Sequence, residues 1–557
     1  MIFRKVSISM IVVLAGIMVG GVTRVSAESV TTSVTVGNSA PSFTAGPAET
    51  TESSATNPTN VGTAVTWEAT ASDSNSENYY LIVCTTDAAT ATNGGAPTCD
   101  VGTWCTSDST ASGTEATCNR TTLVGDAESN AWYAFVCDGN ASAANCSASS
   151  QGSGATGSPF EVNHAPAFTV YAEDGPKNPG QDVTFTSTAS DSDTSGTADT
   201  VKLVVCKTAG ITAGDCDGGA SDRWCASSLG ASNPSCAYTL PTPTPDTSYD
   251  AYGYIVDSHN FASSGAAQGT NDAYVVNNIA PVVSTVTLNG GSAVDLTEGT
   301  TTEVVMTATV TDNNSCAGGE LSSVLAYTYR SDLGFAACDT VGEADNNNCY
   351  VEVSCSVSGG SCSGTTDASA TYTCTANITS YADPTDASTV YAASTWLATI
   401  KATDDDTETH NDEVAAGVEM NSLTAMDITA SIAFGNLDVG QKNDPLDKTT
   451  TVTPTGNVGL DTELSGDNMC TDYPTCSGGS ITVSYIKYAL AGSTAYASGT
   501  SLSGSATEAE LNAPKPTSGS PTTKDLYWGI EIPSGTTPGS YTGANTVTAV
   551  KGETAGW

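Results

Sequence analysis

The sequence predicts an all-β chain: tandem Ig-like antiparallel β-sandwiches arranged as a rod and stapled by disulfides. Three observations predict it. Residues 65–84 (VTWEATASDSNSENYYLIVC) recur as residues 183–206 (VTFTSTASDSDTSGTADTVKLVVC) and, in looser form, at 304–329. Within the copies, apolar and polar residues alternate with the period of a strand buried on one side. Val65, Trp67, Ala69 and Ala71 alternate with Thr66, Glu68, Thr70 and Ser72, and Val304, Met306, Ala308 and Val310 keep the same inward phase. Finally, Thr, Ser, Val and Ala dominate throughout, and no helical i, i+3, i+4, i+7 stripe persists past the first residues, whereas short strands separated by Gly, Asn, Asp and Ser turns indicate sandwiches.

The elements follow in order. Residues 1–27 read as a signal peptide: Arg4 and Lys5, an apolar run at 6–22, then Val25-Ser26-Ala27 as a small-residue cleavage site, with cleavage expected after Ala27. No membrane span is expected once it is removed. A lead at 28–39 follows. Three units then open alike, on Ala40-Pro41, Ala165-Pro166 and Ala280-Pro281, where a proline at an entry or edge strand loses no ladder hydrogen bond. The expected sandwiches are therefore 40–163, 164–278 and, diverged, 279–423. From 424 to 557 the alternation continues without the Ala-Pro opening, which predicts a fourth, distinct β-sandwich; residues 527–541 read as its final hairpin.

Eighteen cysteines in an exported chain read as disulfides. There is no CxxC pair, and His164, His259 and His410 are isolated, so zinc is not expected. Cys84, Cys99, Cys105 and Cys118 correspond to Cys206, Cys216, Cys225 and Cys236. Cys137 and Cys146 have no counterpart in the second unit and are assigned to each other. The other four allow three connectivities, of which the local Cys84–Cys99 and Cys105–Cys118 are preferred. The third unit carries a different set, Cys316, Cys338, Cys349, Cys355, Cys362 and Cys374, and Cys470 with Cys476 brackets a turn in the fourth. Each set is even, which predicts closure within units.

Lys and Arg number 16 against 60 Asp and Glu, a formal charge of -44, so no basic groove can neutralise nucleic acid or anionic lipid. Catalytic signatures are missing: there is no HExxH, GxSxG or P-loop. Residues 152–157 match GxGxxG but read as a hairpin tip without a helix to receive a pyrophosphate. No enzyme is expected.

The acids form a pattern. Each repeated strand runs into an acidic turn, Asp73-Ser74-Asn75, Asp191-Ser192-Asp193 or Asp312-Asn313-Asn314, and each late aromatic strand ends in an acid, Asp138, Asp257 or Asp404. In an Ig-type sandwich the loops after the second and sixth strands lie at the pole where the chain enters. Asp73 and Asn75 should approach Asp138 near Asn38; Asp191 and Asp193 should approach Asp257 near Asn163; Asp312 and Asn314 should approach Asp404 and Asp406 near Asn277 and Asn278. Carboxylate and amide oxygens suit Ca2+.

These residues resemble a known family. Residues 162–168 and 276–282 resemble the cadherin linker D-x-N-D-N-A-P-x-F, the acidic turns resemble its D-x-D element, and Asp138, Asp257 and Asp404 resemble its late-strand acid. The plan is similar to that of bacterial surface proteins built from cadherin-like and polycystic-kidney-disease-like repeats, over residues 40–423. The resemblance implies Ca2+ at interdomain junctions, though the linker acids of the cadherin motif are absent here.

The expected function is an exported, non-catalytic cell-surface or matrix protein: a stalk, adhesin segment or envelope lattice component. Its expected partners are an envelope or extracellular protein or glycan, or further copies of itself. The alternative is a secreted carbohydrate- or polymer-binding accessory module, which an outward row of Trp or Tyr would favour. Trp67, Trp132 and Trp396 sit in strand registers; Trp104 and Trp224 could serve either role.

Overall fold

The computed structural model describes residues 30–152, 157–194, 198–317 and 319–553. The expected signal peptide and most of the GxGxxG stretch lie outside them. Alternating apolar residues make strands of almost all the regular structure; the helical elements among the described residues are short 3-10 turns, and none is long and apolar enough to cross a membrane.

The chain divides into two compact units, one within Met1–His164 and Asp193–Thr197, the other within Ala165–Ser192 and Ala198–Trp557. In the first unit, Ala64–Ser72 lies between Ser42–Glu49 and Glu115–Thr121, while Tyr79–Cys84 lies between Tyr133–Asp138 and Thr103–Thr106. The two sheets face one another across Trp67, Trp132 and Phe160, all fully buried, with Trp67 edge-on to Trp132 at 6.1 Å and to Phe160 at 5.5 Å. Edge-to-face rings add to what burial alone contributes. Gly152, at φ +113°, lets the chain lie flat on Trp132; a Cβ there would sit 2.2 Å from the ring. The entry segment splits, and its second part pairs in parallel with the last strand, Val162 with Thr59 and Asn163 with Asn60. This is the strand order of an Ig-like sandwich.

The second unit holds three further sets of sheets. The first repeats the plan, with Asp182–Ser190 between Ala167–Glu173 and Cys236–Thr239 and Val201–Cys206 between Arg223–Ala226 and Tyr252–Asp257, and a parallel bridge from Lys177 to Val276. In the next, Cys349–Gly360 is long enough to pair with Leu321–Arg330 in one sheet and Ser369–Thr379 in the other, so the two sheets become one seven-stranded sheet folded on itself. Val304, Met306, Ala308 and Val310 face its core, at most 2 % exposed.

The last sandwich has a different order. Met426–Ile428, Lys448–Pro454, Lys524–Ile530, Ile486–Ala489 and Thr500–Ser501 form one sheet, and Leu460–Gly466 lies between Thr507–Ala513 and Asn545–Lys551 in the other. The expected final hairpin does not form. Lys524–Ile530 pairs with Lys448–Pro454 and Ile486–Ala489, and Asn545–Lys551 crosses to the opposite sheet, because its partner there is the buried Leu460–Gly466.

Nine disulfides use all eighteen cysteines, each within one sandwich. The third set, read from sequence as different, keeps one bridge of the first two. Cys118, Cys236 and Cys374 stand opposite Trp67, Phe185 and Met306, the same inward position, and bridge to Cys105, Cys225 and Cys355. Longer strands in the third sandwich hide this correspondence in the spacing.

Candidate metal centre

Register brings the acids to one pole. Asp138, Asp257 and Asp404 end their strands opposite Tyr79, Val201 and Leu321, the first residues of the neighbouring strand, so each late acid sits beside the turn that precedes that strand.

In the first unit the turn is built by Asp73, whose Oδ1 accepts from the Asn75 backbone N–H at 2.6 Å. Asn75 Oδ1 in turn accepts from Ser39 N at 2.9 Å, and Asn38 Nδ2 donates to Asp138 Oδ2 at 2.8 Å. Asp138 is fully buried and also accepts from the backbone N–H groups of Asn140 and Asn145. One carboxylate oxygen each of Asp73, Glu77 and Asp138 falls within 4.8 Å of the others. Three buried oxygens here, Asn38 Oδ1, Asp73 Oδ2 and Glu77 Oε2, have no hydrogen-bond partner. An orphaned buried acceptor is costly unless something electropositive meets it.

The third sandwich repeats these contacts. Asp312 Oδ1 accepts from Asn314 N at 2.8 Å, Asn314 Oδ1 from Ile279 N at 2.6 Å, and Asp404 Oδ2 from Asn278 Nδ2 at 3.0 Å. Asp312, Asn314 and Asp404 are buried, and Asp312 Oδ2 has no hydrogen-bond partner. Asn314 also reaches back across the junction, donating to Asn277 O at 3.0 Å and to Thr244 O at 3.1 Å. Beside this lies a second group: Asp246 of the second sandwich with Glu320 and Asp405 of the third, one oxygen of each within 4.8 Å of the others. Burial, then the charges of Asp246 and Asp405, pushes Glu320 up to about 7; burial, with Asp404 and Asp246 nearby, pushes Asp312 up to about 6. Acids raised in this way repel one another when ionised.

The other expected residues are placed as follows. Asn277 contributes its backbone oxygen, while its side chain donates to Asn178 at 2.8 Å, so Asn278 is the amide that meets the late acid. Asp405, itself exposed, joins the cluster with Asp246 and Glu320, and the neighbouring Asp406 adds only its charge near Asp246. Asn163 donates to Asn60 Oδ1 at 2.9 Å. Asp193, in the first unit, accepts from His164 N at 2.6 Å, the position Asn75 and Asn314 take toward Ser39 and Ile279, and pairs with His164 Nδ1 at 3.0 Å. In the second unit Asp191 is half-buried, and Asp257 caps its own turn through His259 N and Phe261 N, both at 2.8 Å.

Glu77, Asp246, Glu320 and Asp405 escaped the sequence reading. Glu77 and Glu320 lie two and one residues ahead of the strands that begin at Tyr79 and Leu321, and an acid immediately before a strand that pairs with the late acid is the signal that could have found them. Asp246, from a loop of the preceding sandwich, leaves no such signal. These clusters contain only oxygen ligands, the chemistry of a hard cation.

The tryptophans among the described residues serve cores. Trp67, Trp132 and Trp396 are at most 1 % exposed, and Trp104 and Trp224 pack against their cores and donate to Ala131 O and Asp250 O. Tyr485 is the sole exposed aromatic among the described residues.

No known family model matches the sequence, and no curated protein matches it. Among solved structures it is similar to a marsupial T cell receptor, at 11% identity and TM-score 0.28 over 66% of this chain and 99% of that one. It is also similar to the mouse nectin-like molecule 4 ectodomain, at 9% identity and TM-score 0.27 over 65% and 96%. The extracellular cadherin domains 1-5 of protocadherin gamma B2 match at 12% identity and TM-score 0.23 over 91% and 81%.

Proposed function

We propose that the chain is an exported, non-catalytic structural or adhesive protein of a cell surface or extracellular matrix, in which Ca2+ fixes the junction between the second and third sandwiches. The observation that carries this reading is the convergence of acids from both sides of that junction, Asp246 from one and Glu320, Asp405, Asp312 and Asp404 from the other, with Asp312 Oδ2 buried and unpartnered. Ca2+ supplies the positive charge that such a set otherwise lacks, and its preference for six to eight oxygens suits carboxylates, amides and backbone carbonyls together. Asp73, Glu77, Asp138 and Asn38 form a like set at the entry of the first sandwich.

Nine disulfides suit an oxidising compartment, as does the sequence of the first 27 residues. The core placement of the tryptophans favours a structural role over a carbohydrate-binding one. The test is hydrogen exchange on the full chain with millimolar Ca2+ or chelator. Amides at 244–248, 312–320 and 404–408 should slow with Ca2+ in the wild type and not in Asp312→Asn/Glu320→Gln. Equal exchange in both conditions would remove the cation from the reading.

A further inference from the structure

The fourth sandwich carries an acidic group of its own, built by strand register. Leu460–Gly466 is the central strand of its sheet, and alternation sends Leu460, Thr462 and Leu464 inward. Asp461 therefore points to the outer face, yet it is fully buried. Two neighbours cover it. On one side, pairing with Thr507–Ala513 jumps from Thr462↔Ala509 to Leu460↔Ala513, a bulge in which Asn512 takes φ +51° and turns its N–H onto Asp461 Oδ1 at 2.7 Å. On the other side the ladder continues past Lys551, Gly552 N donating to Gly459 O at 2.8 Å.

Asp461 Oδ2 is left buried without a hydrogen-bond partner. It points at Gly552: a Cβ on that residue would lie 2.9 Å from it, so any side chain there would collide with the oxygen. One carboxylate oxygen each of Asp461, Glu508 and Glu553 lies within 4.8 Å of the others. Glu508 stands directly opposite Glu463 across the sheet. Like charges set this close across a sheet destabilise it unless they are compensated.

We infer that Asp461, Glu508 and Glu553 form a divalent-cation site, of the Ca2+ class, that ties the bulge at 510–512 to the end of the strand Asn545–Lys551. Asp461 is the inner ligand, held in orientation by Asn512, and the two glutamates close the outer side. The all-oxygen donor set selects a hard cation. The site is separate from the junction acids and uses no residue of theirs.

The test uses the full chain and Ca2+ alone. In the wild type, hydrogen exchange at 507–513 and 545–553 should slow at millimolar Ca2+, and calorimetric titration should count one more ion per chain than in Glu508→Gln/Glu553→Gln. Both substituted residues are exposed, so this variant retains the fold where Asp461→Asn could lose it. In Asp312→Asn/Glu320→Gln the protection at 507–513 should persist, which separates this site from the junction. An unchanged ion count in the Glu508→Gln/Glu553→Gln chain, or no Ca2+-dependent protection at 507–513 and 545–553 in the wild type, overturns the assignment.

Discussion

Lys515 of the fourth sandwich meets Asp383 of the third at 3.0 Å, with 5% and 4% of their side chains exposed. Asp383 also takes Arg330, and Lys515 Nζ donates to Tyr381 O at 2.8 Å and to Asn347 Oδ1 at 3.1 Å. This junction is closed by a protein cation where the preceding one gathers acids. Removing one partner of a buried pair leaves the other desolvated and costs about 3–5 kcal/mol. Lys515→Met should lie near the lower end of that range, because Arg330 remains, and Lys515→Met/Asp383→Asn should recover part of the loss. Urea unfolding followed by exchange at 379–385 and 513–517 reads both; equal stability of Lys515→Met and wild type would show that the pair contributes nothing.

Calcium should raise the melting temperature of the second unit. A ligand that binds only the folded state at 100 times its Kd stabilises by about 2.7 kcal/mol per site. Scanning calorimetry of the wild type should show the shift, and Asp312→Asn/Glu320→Gln should lose the part that arises at the junction of the second and third sandwiches.

Glu49 predicts a pH dependence in the first unit. Its Oε2 accepts from Ser53 N and Oγ at 2.9 and 2.7 Å and its Oε1 from Trp132 Nε1 at 3.3 Å, but burial outweighs these donors and raises its carboxyl above 4.5. The folded state then holds the proton more tightly than the unfolded state. The stability contributed by the protonated form is complete below about 4.5 and is lost as pH rises through the higher folded value. Glu49→Gln should flatten the decline in first-unit stability above pH 4.5. Parallel wild-type and variant profiles between pH 4 and 7 would contradict this.

The disulfides should rank by the loops they close. Cys316–Cys362 spans 46 residues and Cys137–Cys146 spans 9. Loop entropy puts the losses at about 4 and about 2.5 kcal/mol. Paired Ser substitutions, compared by chemical denaturation, should preserve that order, and the chain lacking Cys137–Cys146 should still fold, since the second sandwich has no such bridge.

What was legible in the sequence follows from what is local. Alternation placed Trp67, Met306 and their neighbours inward because a strand fixes side-chain direction residue by residue. The turns Asp73–Asn75 and Asp312–Asn314 were legible for the same reason, since an Asp that caps the N–H two residues on is a property of three consecutive residues. What depends on pairing was not. Cys355–Cys374 hid behind longer strands, residues 527–541 do not form the hairpin expected of them, and Asp246 reaches Glu320 only because one sandwich is stacked on the next.

The parallel pairing of entry and exit segments has a mechanical consequence. Asn60 with Asn163, Lys177 with Val276, and Val294 with Met420 join the first part of each of the first three sandwiches to its last in the same direction. Tension applied through the chain pulls the two partners of each pair along their lengths in opposite senses, so their hydrogen bonds are loaded together in shear rather than peeled one at a time. If such a pair does yield, the bridges behind it, Cys105–Cys118, Cys225–Cys236 and Cys355–Cys374, withhold their loops from the released length. Each step of lengthening would thus fall short of the full sandwich by the 13, 11 or 19 residues that its bridge encloses.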